Sequence, residues 1–234
     1  MPDFDESAFS LDGFAGRARL FPLPNLVLFP HIMQPLHVFE PRYRELLEDA
    51  LADDRLVTMA LLQPGWEADY EGRPPLYPDA CLGRVMTHHR LDDGTYNMLL
   101  LGLRRVRLVR ELEPRRRYRE AEVVLREDRE DHAHPGRSET TRRRLRAAVL
   151  QTLPALGESG EQLDQLLSGG VSLGLLTDLV GYILDIALAE KIALLGELDV
   201  ERRAERLIDA LSKGAVARSA AGAIDPFPPP FSHN

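Results

Sequence analysis

The chain has 234 residues, of which 44% are hydrophobic and 28% charged, a composition ordinary for a globular protein of one large or two small domains. Its formal net charge of −8 argues against a general nucleic-acid binder. The single cysteine, Cys81, excludes an internal disulfide and predicts a reducing, cytoplasmic location.

The amino end, residues 1–16, is acidic and carries phenylalanines at positions 4, 9 and 14. We interpret it as an N-terminal arm that either frays or docks these rings. It has neither a basic n-region nor a long apolar core, so we expect no signal peptide. Asp178 and Asp185 interrupt the most apolar later segment, so we expect no membrane span either.

The next stretch, Leu20–Tyr43, predicts two short apolar strands joined by a bend and followed by a helix. The strands are Leu26–Phe29, an uninterrupted apolar run, and Leu36–Phe39. Pro41 suits the first turn of the helix, where its missing N–H is not needed. The helix has one apolar stripe at helical spacing, formed by Tyr43, Leu46, Leu47, Ala50 and Leu51.

A strand at Arg55–Leu62 leads into a proline- and glycine-rich loop of seventeen residues, Gln63–Asp79. Loops of that length are usually functional or mobile. This one holds the only tryptophan, Trp66, together with Tyr70 and Tyr77.

Four further strands are predicted, at Ala80–Leu91, Thr95–Leu101, Arg104–Leu112 and Tyr118–Leu125. Asp92-Asp93-Gly94 signals a hairpin, Gly102 permits a break, and Arg105 and Arg107 fall on the outer face of an alternating strand. Six or seven strands with a single inserted helix indicate a small, largely antiparallel barrel.

Beyond the polar segment 127–136 the apolar period changes from two to 3.6. We predict helices at Ser138–Leu153 and Glu161–Leu167, one capped by Ser172, and one from Asp199 to Lys213 with Gly214 at C′. The third has the stripe Leu175, Leu176, Leu179, Ile183 and Ile186. Such stripes need a partner surface, so a chain ending at Gly136 is predicted to aggregate. The predicted divisions are an arm at 1–16, a barrel at 17–128, a helical subdomain at 137–213 and a proline-rich tail at 214–234.

These segments resemble the Lon N-terminal, or substrate-binding, domain family over roughly residues 18–211. The resemblance rests on the runs PLPNLVLFP and PLHVFEPRY, the block CLGRVMTHHRLDDGTYNMLLLGLRRVRLVREL, the strand YREAEVVL and the helical segment TDLVGYILDIALAEKIALLGELDVERRAERLIDAL. It implies an α+β fold: a PUA-like antiparallel β-barrel with one inserted helix, followed by a C-terminal helical bundle. It also implies non-catalytic recognition of unfolded or exposed apolar polypeptide segments, with an ATP-dependent protease as a possible partner in trans.

Full-length Lon proteases carry an ATPase and a serine–lysine peptidase after this domain. The only lysines here, Lys191 and Lys213, follow no glycine-rich phosphate loop and no strained serine turn. We therefore expect a freestanding form that is not an enzyme, with no catalytic residues and no cofactor. Glu40 and Arg42 are interpreted as structural residues at a helix start, and an autonomous hydrolase is the third hypothesis.

Metal and nucleic-acid sites are the remaining chemical alternatives. Adjacent His88 and His89 point to opposite faces of a strand and cannot easily share an ion. His31 and His37 flank the bend and could approach each other, but we interpret both as polar residues at a barrel rim, so no metal site is expected. Eight arginines lie between Arg104 and Arg119, but acids interrupt them and no aromatic series interleaves. An ion-paired strand face is the preferred interpretation, and a PUA-like RNA-binding module is the second hypothesis.

The predicted polypeptide-binding residues are Trp66, Tyr70, Tyr77, His31 and Met33. Aromatic side chains on a proline-stiffened loop offer contact area at low entropic cost. Capture would use pairing along a barrel edge or an apolar groove between barrel and helices. The alternative for Trp66 is a plug at one end of the barrel.

Overall fold

The computed structural model of the protein describes residues 10–11, 13–130, 135–152, 171–214 and 216–217. The fold is mixed α+β, and the chain divides into two compact units, one up to Arg126 and one from Glu127. Among the described residues, no helix has the length and apolar character needed to cross a bilayer. The predicted helix Glu161–Leu167, most of the N-terminal arm and most of the proline-rich tail lie outside the described residues.

The first unit is a six-stranded sheet with an α-helix inserted after the second strand. The strands are β1 Arg17–Leu23, β2 Met33–Val38, β3 Leu56–Leu61, β4 Asp79–Arg90, β5 Tyr96–Glu111 and β6 Arg119–Arg126, and helix α1 is Pro41–Ala52. The strand order is β2-β5-β4-β3-β1-β6, and β6 also pairs with β5. All pairings are antiparallel except β1 with β3, so the sheet is largely antiparallel, as predicted.

The core of this unit is formed by buried side chains of the strands and of α1. The sheet contributes a cluster of small and branched side chains that includes Leu20, Leu82, Leu103 and Val123. The predicted stripe of α1 is confirmed at the buried residues Tyr43, Leu46, Leu47 and Ala50, whereas Leu51 is half-buried. Pro41 occupies the first turn of the helix, also as predicted.

The prediction of a strand at Leu26–Phe29 is wrong. The segment has no regular structure, although Leu28 and Phe29 are buried. An apolar run reports burial, and here burial comes without strand pairing. The first strand is β1, which contains Pro22. Only residues 17–20 of β1 pair with β6, so the missing N–H of Pro22 interrupts no bond on that side.

The predicted break at Gly102 is also wrong, because β5 continues through it. The register between β5 and β4 shifts at this point, where Leu103 is the extra residue of a β-bulge. A Cβ at Gly102 would lie 2.1 Å from the Phe29 carbonyl oxygen, so glycine permits close backbone approach. Gly102 N donates to Ile32 O at 2.9 Å, and Gly102 O accepts from His31 N at 2.7 Å.

The arginine-rich face of β5 and β6 carries the predicted ion pairs. Arg107 pairs with Asp79, Arg110 with Glu122 and Arg119 with Glu111. Arg105 was predicted on the same face, but it is buried.

The second unit is helical. Its helices are α2 Pro135–Thr152, α3 Leu173–Ile183, α4 Leu188–Gly196 and α5 Val200–Ser212, and a two-residue ladder joins Leu184–Asp185 to Val216–Ala217. Ser172 caps α3 by accepting from Leu175 N at 3.2 Å, and Asp199 caps α5 by accepting from Arg202 N at 3.1 Å. Both caps were predicted. Helix α4 was not, and α2 begins before Ser138.

The predicted stripe of α3 is confirmed only at Leu176, because the buried face of the helix is rotated. Leu175, Leu179 and Ile183 are only half-buried, while Leu176, Thr177, Asp178 and Val180 are buried.

A buried arginine explains this rotation. Arg203 of α5 is fully buried, and its guanidinium donates to Thr177 Oγ1 at 2.7 Å and to Asp128 Oδ1 at 3.0 Å. Asp178 Oδ1 lies 3.6 Å from Arg203 Nε. The polar side chains of α3 therefore face inward, where they compensate a buried charge.

Candidate functional site

The first unit has an open cleft of about 530 Å³. Three stretches form its walls: the start of α1, the loop after the 3-10 turn Trp66–Asp69, and the chain that enters β6. Its lining residues are Pro22, Glu40, Pro41, Arg42, Tyr43, Leu62, Tyr70, Glu71, Gly72, Arg73, Pro74, Pro114, Arg116, Arg117, Tyr118 and Arg119. Three tyrosines and four prolines are among these lining residues.

The first wall is a network around Arg42. Its guanidinium lies between two rings, 4.9 Å from the centroid of Tyr43 and 4.6 Å from that of Tyr70. Arg42 Nε donates to Glu40 Oε2 at 2.8 Å, and Arg42 Nη1 donates to Tyr70 O at 3.1 Å. Tyr70 OH donates to Glu40 Oε1 at 2.5 Å. Burial, and next this bond to a carboxylate, raise the pKa of Tyr70. The network joins the loop to the start of α1.

Tyr43 belongs to the core side of the cleft. Its ring stacks on Phe21 with centroids 4.1 Å apart, and its hydroxyl donates to Pro22 O at 2.9 Å. Burial is the main reason that the pKa of Tyr43 is raised. The ring is therefore a fixed, neutral surface.

The opposite wall depends on Glu111 at the end of β5. Its carboxylate accepts from Arg119 Nε at 2.8 Å and from Arg73 Nη2 at 3.0 Å. Arg119 Nη1 also donates to Pro74 O at 2.8 Å. These bonds hold the loop residues Arg73 and Pro74 against the entry to β6.

Tyr118 connects this wall to α1. Its ring is buried and its hydroxyl donates to Asp49 Oδ2 at 2.7 Å. Burial, followed by this bond, raises the pKa of Tyr118 to about 12. Arg116 and Arg117, just before it, form the outer rim, with side chains 53% and 73% exposed.

Of the five predicted binding residues, only Tyr70 lines the cleft. Trp66 lies next to it, with ring centroids 5.3 Å apart in an edge-to-face arrangement. Trp66 is half-buried, and no residue of its 3-10 turn is buried. That exposure disfavours a plug, although a binding role for Trp66 stays a prediction.

The other three predicted residues do not line the cleft. Tyr77 is half-buried, and its N–H donates to Leu61 O at 2.9 Å. His31 is exposed and has a left-handed backbone, with φ of 65°. Met33 is 39% exposed at the start of β2. A role in polypeptide binding stays a prediction for these three residues.

The main residues that sequence reasoning missed are Glu40, Arg42 and the arginines of the opposite wall. The run Glu40–Tyr43 was interpreted as a helix start, which it is. Its second role depends on Tyr70, thirty residues away in sequence, and no local period reports such a contact.

Among the described residues, no group of three or more His, Cys, Asp or Glu side chains could hold a metal ion. His37 Nδ1 lies 2.8 Å from Asn97 Oδ1 in a hydrogen bond.

Comparison with known proteins assigns most of the chain to one family. The family model described as the ATP-dependent protease La (LON) substrate-binding domain matches residues 17–213. The chain belongs to the Lon substrate-binding domain family.

Relatives of this Lon substrate-binding domain are much longer proteins. Lon protease 2 of Myxococcus xanthus is 26% identical over 83% of this chain and 23% of its own length. Lon protease of Xanthomonas oryzae pv. oryzae is 30% identical over 81% of this chain and 22% of its own length. The chain thus spans less than a quarter of these relatives.

Solved structures show the same fold. The N-terminal domain of Mycobacterium avium complex Lon protease has a TM-score of 0.65 at 17% identity, covering 84% of this chain and 98% of that one. The Lon N-terminal domain protein from Xanthomonas campestris has a TM-score of 0.58 at 22% identity, covering 82% and 97%.

Proposed function

We propose that this Lon substrate-binding domain recognises exposed apolar segments of unfolded polypeptides and performs no chemistry itself. The observation that carries the proposal is the cleft. It brings tyrosine and proline side chains together between hydrogen-bonded walls. A preformed surface of this kind binds at lower entropic cost than a mobile loop.

The size of the cleft fits this occupant. A volume of about 530 Å³ lies within the range of small-ligand pockets, roughly 300–1,000 Å³, and accommodates a few side chains of an extended segment. Tyr70 is the residue through which the loop and α1 would act together, since it contacts both Glu40 and Arg42.

The proposal includes the finer architecture. The pairings β5–β4–β3–β1–β6 return to β5, which supports a closed, PUA-like barrel at 17–128, and the four helices support a helical bundle at 137–213. The proposed setting is the cytoplasm, where the buried thiol of Cys81 stays reduced. Because the relatives are Lon proteases and this chain matches only part of them, we include an ATP-dependent protease as the partner that would act on captured segments.

The test is a titration with a chemically unfolded, fluorescently labelled model polypeptide. Tyr70→Ala should weaken binding about tenfold, because it removes a cleft wall together with the contacts to Glu40 and Arg42. Tyr70→Phe keeps the ring and should weaken binding less. Tyr77→Ala, on the same loop but outside the cleft lining, is the matched control.

A second signal comes from the intrinsic fluorescence of Trp66. It is the only tryptophan and lies 5.3 Å from Tyr70, so its emission should shift when the cleft is occupied. Thermal melts of each variant separate loss of binding from loss of fold. Unchanged binding by a folded Tyr70→Ala variant would place the site elsewhere.

A further inference from the structure

Arginines outnumber acids among the residues that line the cleft. Five arginines line it, at positions 42, 73, 116, 117 and 119, against two acids, Glu40 and Glu71, and Glu45, Asp49 and Glu111 pair with four of these arginines from outside the lining. The whole chain carries a formal net charge of −8. A concave surface of one sign attracts groups of the other sign.

Not all of these arginines are equally available. Arg42 and Arg119 have side chains only 18% and 11% exposed, and both are held by carboxylates through hydrogen bonds. They maintain the walls.

The rim arginines differ. Arg116 Nε lies 3.3 Å from Asp49 Oδ2, and Arg117 Nε lies 3.6 Å from Glu45 Oε2. Among the residues that the structure describes, neither guanidinium forms a hydrogen bond. Exposed ion pairs of this kind contribute little, so a ligand carboxylate can take the place of either acid. A bidentate bond from either guanidinium to a ligand carboxylate would be the stronger interaction.

We infer that the cleft selects polypeptide segments in which acidic residues flank an apolar side chain. The apolar group would lie on the rings of Tyr70 and the neighbouring prolines, and the flanking carboxylates would bind Arg116 and Arg117. This inference rests on the proposed function, because it names the class of segment that the same cleft takes.

The experiment uses the full chain and three labelled nonapeptides with an identical Phe-Leu-Phe centre. Their flanks are aspartate and glutamate, the uncharged asparagine and glutamine, or lysine. At low salt the acidic peptide should bind about three- to tenfold more tightly than the amide peptide, and the lysine peptide least tightly. The difference should vanish at high salt, where exposed charges are screened.

The variant Arg116→Gln/Arg117→Gln should reduce the ratio of acidic-peptide to amide-peptide affinity to about one, because it removes both rim charges. The matched control is Arg107→Gln/Arg110→Gln, which removes two arginines of β5 that lie outside the cleft lining. This variant should keep the preference for the acidic peptide. Tyr70→Ala should weaken all three peptides together.

The outcomes separate the two proposals. If all three peptides bind equally to the parent chain, the inference is overturned and the proposed function stands. If no peptide binds, both fail. If an oligouridylate binds more tightly than the acidic peptide and displaces it through Arg116 and Arg117, the rim is a nucleic-acid site and the inference is again overturned.

Discussion

Two tyrosines of the cleft, Tyr43 and Tyr118, have pKa values that are raised in the folded protein. Tyr118 donates to Asp49 from a buried position, and its pKa is raised to about 12 from an ordinary value of 10.0. Tyr43 is shifted in the same direction by burial. Ionising either ring would place a negative charge in the core.

We therefore expect the free energy of unfolding to fall as pH rises from about 10 toward about 12. The sign follows from the raised pKa: the unfolded chain loses these protons first, so the contribution is complete below pH 10 and lost above it. Tyr118→Phe should cost about 1 kcal/mol at neutral pH, through the lost hydrogen bond. Urea denaturation at several pH values should show the gap between variant and parent narrowing as pH rises. A constant gap would contradict the shifted pKa.

Glu201 of α5 is a second residue whose environment has a consequence. It is 7% exposed, and both carboxylate oxygens are buried without a hydrogen-bond partner among the described residues. Its position in the first turn of α5 offers about 0.3–1 kcal/mol from the helix dipole. An uncompensated buried carboxylate costs several kcal/mol.

Glu201→Met should therefore raise the free energy of unfolding by about 1 kcal/mol or more, because it keeps the side-chain length and removes the buried charge. Glu205→Met, on the same helix, removes an exposed ion pair with Arg144 and should change stability by less than about 0.5 kcal/mol. Chemical denaturation of the full chain measures both. Lower stability of Glu201→Met would mean that the carboxylate is compensated.

At the scale of elements, local sequence patterns predicted the features that neighbouring residues determine. They missed the features that depend on contacts between residues far apart in sequence. The stripe of α1, the cap residues Ser172 and Asp199 and the arrangement of the hairpin strands follow from short-range patterns. The face of α3 does not, because Arg203 comes from another helix and turns Thr177 and Asp178 inward. Similarly, Tyr70 was predicted as a binding residue from its loop, but its partners Glu40 and Arg42 were not.

Gly102 shows the same limit within one strand. Its sequence context favours a break, but its role is to admit the backbone of Phe29 at a distance that no side chain allows. Gly102→Ala would place a Cβ 2.1 Å from the Phe29 carbonyl oxygen, within a buried bulge.

We expect Gly102→Ala to lower the free energy of unfolding by about 3 kcal/mol, because the backbone at either Gly102 or Phe29 must move to make room for the new Cβ. Gly136→Ala in α2 is the matched control, since a Cβ there meets nothing within 4 Å and alanine favours a helix. Thermal melts should show a large loss for the first variant and none for the second. Equal behaviour would mean that the Phe29 segment shifts freely.

At the scale of the whole molecule, the first unit supports a prediction opposite to one drawn from the helical stripes. The helical stripes predict that a chain ending at Gly136 aggregates. The first unit, however, has its own core cluster inside the sheet and a helix whose stripe is buried. That arrangement favours independent folding.

We expect residues 1–126 to form a monomer that unfolds cooperatively in urea. The same fragment with Leu46→Asp should fail to fold, because Leu46 is fully buried and the new charge has no partner. Ala52→Asp, at an exposed position of α1, should be tolerated. Size-exclusion chromatography and circular dichroism distinguish the outcomes. An aggregated 1–126 fragment would show that the first unit depends on the rest of the chain.

The pairing of β1 with both β3 and β6 has a consequence for biosynthesis. Arg17 of β1 pairs with Glu122 of β6, which is translated more than a hundred residues later. The pairing of β1 with β6 therefore cannot form until β6 has been synthesised. Long-range pairing of this kind slows folding, and the chain leaves the ribosome amino end first. Until β6 has emerged from the exit tunnel, the nascent sheet has an open edge at β1 that another strand could join. Shielding of that edge during translation would then set the yield of native protein.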